Sequence, residues 1–174
     1  MKKIIIIITA ISLLFVGCSS SDENDSKVIF NSYDEAFSIE TVSSWQNVTK
    51  GELNELANLE IANYDENKYF MALMESKEDF DLSYDEYKDY MISDIEDRYK
   101  IQIEEKKDIK IGDYDCIYVE FKSSEEGSSV NFYMQVYIIE NKNYYGRLFA
   151  WTTYSQRDTY KDEFIKMAQT FAEK

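Results

Sequence analysis

Residues 132–139 (FYMQVYII) carry apolar or aromatic side chains at almost every position. Successive side chains of a strand point to opposite faces of its sheet, so a strand with one face in water alternates polar and apolar residues. This segment does not alternate, and it therefore predicts a strand that is covered on both faces. We expect helices on both sides of one sheet, unless a partner protein covers one side.

This segment belongs to a run of four predicted strands. They lie at about 101–111, 114–122, 129–140 and 143–152. The connections between them are short, and short connections favour antiparallel pairing of neighbouring strands. The region therefore predicts a β-meander.

The region upstream is expected to add a hairpin. Alternation of apolar and polar residues over 36–41 predicts a strand. Residues 59–64 and 69–75 flank a polar tetrapeptide, which is the pattern of a β-hairpin. Residues 49–58 predict a short helix before that hairpin.

Two longer helices are predicted around the meander. The tetrapeptide 83–86 (SYDE) matches a capping box, and the apolar and aromatic residues behind it recur at helical spacing. This pattern predicts a helix over 84–99. A second helix is expected over about 156–172, where Ser155 or Thr153 can cap the first turn.

The start of the chain has the pattern of a bacterial secretion signal. Two lysines precede thirteen residues, 4–16, that are apolar except for Thr9 and Ser12. A helix of this length spans about 20 Å, less than the ~30 Å hydrocarbon core, so it is typical of a signal peptide and not of a membrane span. Residues 14–18 (LFVGC) then resemble the lipobox of bacterial lipoproteins.

The lipobox resemblance implies a lipid anchor. Residues 1–17 would be removed by cleavage between Gly17 and Cys18, and a diacylglyceryl group would be attached to Cys18. Two acyl chains give a lasting anchor where one gives a marginal one. Residues 18–29 are mostly polar and are expected to form a flexible tether. The excess of lysine over arginine favours a low-GC Gram-positive host, in which the protein faces outward from the cell membrane.

The elements place the chain in the α+β class, as a single domain over residues 30–174 with an antiparallel β-sheet meander flanked by helices. Residues 37–45 (FSIETVSSW) look like the "F-S-I-x-x-P-x-x-W" start of the Mog1/PsbP-like family. The order hairpin, helix, meander, terminal helix is also similar to that family. The resemblance implies an α/β/α sandwich that serves as a binding or assembly module. No partner-binding residue of the family can be placed on this sequence.

The residue composition argues against most catalytic chemistry. The chain has no histidine, which removes the commonest general base and the Ser-His-Asp and Cys-His arrangements. It has two cysteines, and lipidation of Cys18 would leave Cys116 without a partner, most simply as a small buried hydrophobe. There is no phosphate-binding loop. We expect no enzyme and no cofactor.

The net charge argues against nucleic-acid binding, and the spacing of the acidic residues argues against a calcium site. The formal net charge is −15, which repels phosphate backbones, so nucleic-acid binding is not expected. Asp79, Asp81 and Asp85 cluster before a predicted helix, but their spacing does not match a calcium loop, and a solvated helix start explains them better. No metal site is expected. The basic cluster at 106–110 fits a strand edge that faces water.

Trp45 and Trp151 are the candidate ligand-binding residues. Core packing is the simpler explanation of both, and the functional explanation is a cleft between sheet and helix that holds an apolar ligand. Two hypotheses follow for the whole protein. It is either a non-catalytic module that binds another envelope protein, which we favour, or a carrier or sensor of a small apolar ligand. A hydrolase built on two facing carboxylates is a distant third.

Overall fold

The computed structural model describes residues 26–124 and 129–174 of the chain, which form ten strands and two α-helices besides two short 3₁₀ turns. They are β1 (Lys27–Asn31), β2 (Phe37–Val42), β3 (Gln46–Asn47), β4 (Leu59–Asn63), β5 (Lys68–Ser76), α1 (Tyr84–Tyr99), β6 (Ile103–Ile111), β7 (Tyr114–Ser124), β8 (Asn131–Glu140), β9 (Tyr144–Thr153), α2 (Arg157–Ala168) and β10 (Ala172–Glu173).

The strands form two antiparallel sheets. The larger sheet has the order β3-β4-β5-β9-β8-β7-β6, and the smaller one has the order β1-β2-β10. The run β6 to β9 pairs in chain order, so the predicted meander is confirmed. The predicted hairpin is also present, as β4 and β5. The α+β class predicted from the sequence is therefore correct.

Strand β8 is covered on both faces, as its composition predicts. Tyr133 and Tyr137 point into a cluster that contains the buried residues of α2, β1 and β2. Met134 and Val136 point into a second cluster that contains the buried residues of α1. We call these two sides of the larger sheet the α2 face and the α1 face. One helix on each face excludes water from both sides of β8.

The two helices begin in different ways. Helix α1 has the predicted capping box: the backbone N–H of Glu86 donates to the Ser83 hydroxyl, and the Ser83 N–H donates to the Glu86 carboxylate over 2.8 Å. Helix α2 follows a single 3₁₀ turn, and neither Thr153 nor Ser155 caps it with its side chain. The predicted cap of the second helix is therefore wrong.

Helix α2 also ends earlier than predicted, at Ala168. The Thr170 hydroxyl donates to the carbonyl oxygen of Glu40 over 3.0 Å and accepts the Glu40 N–H over 2.8 Å. These bonds turn the chain back to β2, where Ala172–Glu173 adds a short strand. Tertiary contacts with β2 thus replace the last helical turn that the apolar spacing suggested.

Two other regions differ from the predictions. Residues 49–58 form a series of turns instead of a short helix, and Gly51 has a φ of +82° that no right-handed helix allows. The first strand begins at Lys27, three residues before the predicted start of the domain, and it buries Phe30 against β2. Residues 27–29 are therefore part of the folded body.

The lysine cluster and Cys116 lie where the sequence indicated. Lys106, Lys107 and Lys110 belong to β6, which pairs only with β7 in the described part of the chain and forms one edge of the larger sheet. Cys116 is 2% exposed, and burial raises the pKa of its thiol.

Among the described residues, no helix is long and apolar enough to cross a membrane. Gly17 and Cys18 lie outside the described residues.

Gly146 in β9 leaves room that neighbouring side chains fill. A Cβ atom at this position would stand 2.7 Å from both the Met74 sulfur and the Ile139 Cγ1 atom. We expect Gly146→Ala to lower the free energy of unfolding by about 1–3 kcal/mol, because overpacking forces these side chains to move. Urea denaturation followed by circular dichroism measures it.

A double-mutant cycle tests the cause. In a Met74→Ala background the Met74 sulfur no longer crowds position 146. Gly146→Ala should therefore lower the free energy of unfolding by less than it does in the wild-type background. Equal costs in both backgrounds would show that crowding by Met74 is not the reason.

Candidate functional site

The two tryptophans lie on opposite faces of the larger sheet. Trp45 is on the α2 face, where it is 3% exposed and packs edge-on against Phe164 at a centroid distance of 6.3 Å. Its indole N–H donates to the Glu163 carboxylate over 3.0 Å. Trp45 therefore has the environment of a core residue.

Trp151 is half-buried on the α1 face. Its indole stacks on the Tyr69 ring, with 5.3 Å between the centroids and 16° between the planes. The register places Trp151 between Tyr69 of β5 and Met134 of β8. Because the sheet separates Trp151 from Trp45, the two do not line one cleft as the sequence suggested.

A half-open groove of about 550 Å³ lies beside Trp151. Its floor is the α1 face of the sheet, its walls are the segment 49–58 and the end of α1, and the ends of β7 and β8 close it. We call it the Trp151 groove. It is lined by Leu53, Asn54, Met71, Arg98, Tyr99, Lys100, Ser123, Ser124, Phe132, Met134 and Trp151.

The charge of the groove differs from that of the chain. Among its described lining residues two are cationic, Arg98 and Lys100, and none is acidic, although the chain has 34 acidic residues. Neighbouring clefts on the surface do contain carboxylates, such as Glu75 and Asp79 in one of about 280 Å³. The described lining of the Trp151 groove is thus aromatic and carries only cationic charged side chains, on an acidic protein.

One wall of the groove is held by Glu60. This carboxylate is 1% exposed and accepts hydrogen bonds from the backbone N–H groups of Gly51 (2.6 Å), Leu53 (2.7 Å) and Asn54 (2.9 Å) and from the Tyr33 hydroxyl (2.8 Å). Burial acts to raise the pKa of Glu60, but these hydrogen bonds outweigh it and lower that pKa. Leu53 and Asn54 are therefore fixed in place at neutral pH.

Sequence reasoning missed Glu60 as a positioning residue. In the sequence, Glu60 is the charged residue of a short predicted strand, and the structure buries all five residues of that strand, LEIAN. A buried charge needs hydrogen-bonding partners. Their source is the backbone six to nine residues upstream, in a segment that the sequence pattern assigned to a helix.

A second buried carboxylate, Glu120, lies on the α2 face. It pairs with Arg157 and Lys161 of α2 and accepts hydrogen bonds from the Tyr118 and Tyr133 hydroxyls. Its ion-pair and hydrogen-bond partners among the described residues are these cations and phenols. Two partly exposed carboxylates of β6 contact the same two cations from the other side. This arrangement fastens α2 to the sheet.

The structure adds no support for a metal site. Within residues 26–124 and 129–174, no group of three or more acidic or cysteine side chains is placed to hold a cation. Asp85, which belongs to the acidic cluster before α1, pairs with Lys88 over 2.6 Å.

Comparisons with known proteins identify the fold. No protein-family model matches the chain, and no curated protein does. Among solved structures, the chain is similar to cyanobacterial PsbP (CyanoP) from Synechocystis, with a TM-score of 0.62 and 10% identity over 91% of this chain and 99% of that one.

Two other solved structures resemble the chain. One is a protein of unknown function and putative regulator from Pseudomonas aeruginosa, with a TM-score of 0.55 and 13% identity over 85% of this chain and 97% of that one. The other is LpqN of Mycobacterium tuberculosis, which is involved in cell envelope biogenesis, with a TM-score of 0.55 and 10% identity over 84% and 90% of the two chains. The chain therefore has a PsbP-like α+β fold.

Proposed function

We propose that this protein is an extracytoplasmic lipoprotein, held on the cell membrane of a Gram-positive bacterium by lipid on Cys18. Its folded body is a non-catalytic module that binds another envelope protein through the Trp151 groove. The lipobox resemblance supports the anchor, and the lack of histidine supports a non-catalytic role.

The observation that carries the binding role is the Trp151 groove itself. Trp, Tyr, Phe, Met and Arg are enriched at protein interfaces, and the groove is lined by residues of all five types. Binding hot spots favour Trp, Tyr and Arg in the same way. Two of its walls are anchored, one by Glu60 and the other by a helix, so a partner would meet a preformed surface.

The comparisons agree with this proposal without specifying a partner. LpqN, which has the same fold, is described as involved in cell envelope biogenesis. That role belongs to LpqN, and it is compatible with an envelope location for the present protein.

A carrier of a small apolar ligand is the second candidate. The groove volume of about 550 Å³ lies within the ~300–1,000 Å³ typical of ligand sites. Such sites bury most of the ligand surface, however, and this groove is open on one side. A protein partner would cover that open side, and for this reason we prefer the binding module.

In-cell photocrosslinking tests the binding role. p-Benzoylphenylalanine replaces Phe132 in the groove of the full-length chain, and the matched control replaces Tyr90, which is 56% exposed on α1. We expect a reproducible protein adduct from position 132 that is absent at position 90 and is lost on adding Trp151→Ala. Equal labelling at both positions, or none at 132, would contradict the proposal.

Native mass spectrometry of the protein from its own membranes separates the two candidates. A complex with a second protein supports the binding module. A lone chain with a constant extra mass, beyond the lipid on Cys18, supports the carrier.

The anchor makes a separate prediction. Cys18→Ala removes the thiol that would carry the diacylglyceryl group, and two acyl chains provide the lasting attachment. We expect the variant to lose lipid labelling and almost all membrane retention, measured by fatty-acid labelling and membrane fractionation. Cys116→Ala is the control, because that buried thiol should leave both unchanged. Membrane retention of Cys18→Ala at the wild-type amount would show that the anchor is something else.

A further inference from the structure

We infer that the Trp151 groove recognises an acidic, apolar segment of its protein partner: an apolar side chain enters the groove, and a neighbouring carboxylate pairs with Lys100 and Arg98. This inference rests on the proposed function and adds the chemistry of the partner. Three observations at the groove support it.

The first observation is charge complementarity. The chain carries a net charge of −15, yet the described lining of the groove has two cations and no carboxylate. An acidic segment is repelled by most of such a surface and attracted only where the potential is locally positive. The groove would therefore select both the partner and its orientation.

The second observation concerns Lys100. It follows the last residue of α1 in the left-handed conformation, with φ 50° and ψ 47°, where glycine or asparagine is the usual residue. Its ammonium forms no ion pair with any described residue. Lys100 thus presents an uncompensated positive charge at the groove.

The third observation concerns Arg98. One of its terminal nitrogens, Nη2, contacts both Asp94 oxygens, at 2.9 and 3.1 Å, and the side chain is 61% exposed. A guanidinium has five N–H donors, so this contact leaves donors for a second carboxylate. The last turn of α1 also contains Glu96 and Asp97, and neither of these carboxylates lines the groove.

The walls favour a peptide over a fatty acid. The floor offers Met71, Met134 and Trp151 to an apolar side chain, while Asn54 and Ser123 add amide and hydroxyl groups that can bond a peptide backbone. A hydrocarbon chain could not hydrogen-bond the Asn54 amide nitrogen or the Ser123 hydroxyl, and it would remain exposed on the open side of the groove.

Fluorine NMR of the lipoprotein in neutral phosphatidylcholine nanodiscs tests the inference. Fluorotryptophan labels both tryptophans, and Trp45, buried on the opposite face, is an internal reference. The probes are the peptide acetyl-Ser-Leu-Phe-Asp-Glu-Ser-amide, its Asn-Gln counterpart, a variant with serine for Leu and Phe, and laurate. Lys100→Gln with Arg98→Gln removes both charges, and Lys110→Gln on the far edge strand is the matched control.

We expect the acidic apolar peptide to shift only the Trp151 resonance, and to bind about five- to tenfold more tightly than either altered peptide. The double variant should lose that preference, and added salt should weaken it. Four results would overturn the inference: equal binding of the neutral peptide, a shift at Trp45 alone, tighter binding of laurate than of the peptide, or no shift at about 5 mM of any probe.

The same double variant separates this inference from the proposed function. If photocrosslinking from position 132 captures the partner equally well with and without Arg98→Gln and Lys100→Gln, the carboxylate contact is wrong while the binding module stands. If position 132 yields no adduct in the wild-type chain, the proposed function itself fails.

Discussion

Replacing Glu120 with alanine is expected to lower the free energy of unfolding by about 3–5 kcal/mol, the cost of leaving one side of a buried ion pair without its partner. Glu120 is fully buried at the interface between β7 and α2. Lys161 lies 2.8 Å from one carboxylate oxygen, and Arg157 contacts the other. Its removal leaves these two cations of α2 with only the partly exposed carboxylates of β6 as partners.

The tyrosine hydroxyls add to the loss. Tyr118 and Tyr133 both donate to the Glu120 carboxylate, at 2.5 and 2.7 Å, and both side chains are fully buried. A buried donor without an acceptor costs about 1–3 kcal/mol. Urea denaturation followed by circular dichroism measures the change in stability.

The pH dependence of this site follows from the same contacts. Burial acts to raise the pKa of Glu120, but hydrogen bonds from Lys161, Tyr118, Tyr133 and Arg157 outweigh it and lower the pKa from 4.5 to about 2. A carboxyl whose folded pKa is depressed stabilises the fold above its unfolded pKa and loses that contribution as the pH falls. The advantage of wild type over Glu120→Gln should therefore shrink between about pH 4.5 and 2.

Glu105→Gln is the matched control. Glu105 also contacts Lys161, at 3.1 Å, but it lies on the edge strand β6 with 35% of its side chain exposed. Exposed pairs contribute about 0–1 kcal/mol, so this variant should lie close to wild type. If Glu120→Ala and Glu105→Gln cost the same, the buried cluster does not hold α2 as we describe.

The sequence predicts the repeating parts of this fold well. Period-2 and period-3.6 patterns identify strands and helices locally, and β8 shows this most clearly. Its apolar residues on both faces require cover on both faces, and α1 and α2 provide it. The capping box at Ser83 was also predicted correctly, because its two residues, Ser83 and Glu86, lie within one turn of helix.

The predictions that failed concern segments whose partners lie in other elements of the fold. Turns replace the helix predicted over 49–58 because Glu60, from the following strand, bonds the backbone of that segment. Thr170 ends α2 through contacts with Glu40, which is 130 residues away in the sequence. Neither partner can be inferred from local spacing, because the pairing exists only once the sheets have formed.

The structure separates the two tryptophans that the sequence assigned to one cleft. Trp151 does line a groove, but Trp45 lies across the sheet from it, and the sequence assigned both to one cleft. The face to which each tryptophan points depends on the strand register, and a one-residue change in register reverses it. Arg98 and Lys100 lie at the end of a correctly predicted helix, and their position at a groove follows from how that helix crosses the sheet.

The second large effect that we expect is a loss of stability in Trp45→Ala that Trp151→Ala does not share. Trp45→Ala should cost about 3–5 kcal/mol of unfolding free energy, as for other buried aromatic residues. It would remove the packing against Phe164 and the hydrogen bond to Glu163, and it would uncover the buried ammonium of Lys68, which lies 5.4 Å from the Trp45 ring. Circular dichroism during urea denaturation measures this change without relying on tryptophan fluorescence.

Trp151→Ala is both the matched control and the functional variant. Its indole is half-buried and stacks on Tyr69, so the stability cost should stay below about 2 kcal/mol, since only part of its apolar surface is removed from water. Photocrosslinking from position 132 should nevertheless be lost, because the groove loses the largest aromatic surface that a partner would contact. A variant at Trp151 that unfolds as readily as Trp45→Ala would make this residue part of the core, whereas a stable variant that still captures its partner at the wild-type yield would place the binding surface elsewhere on the domain.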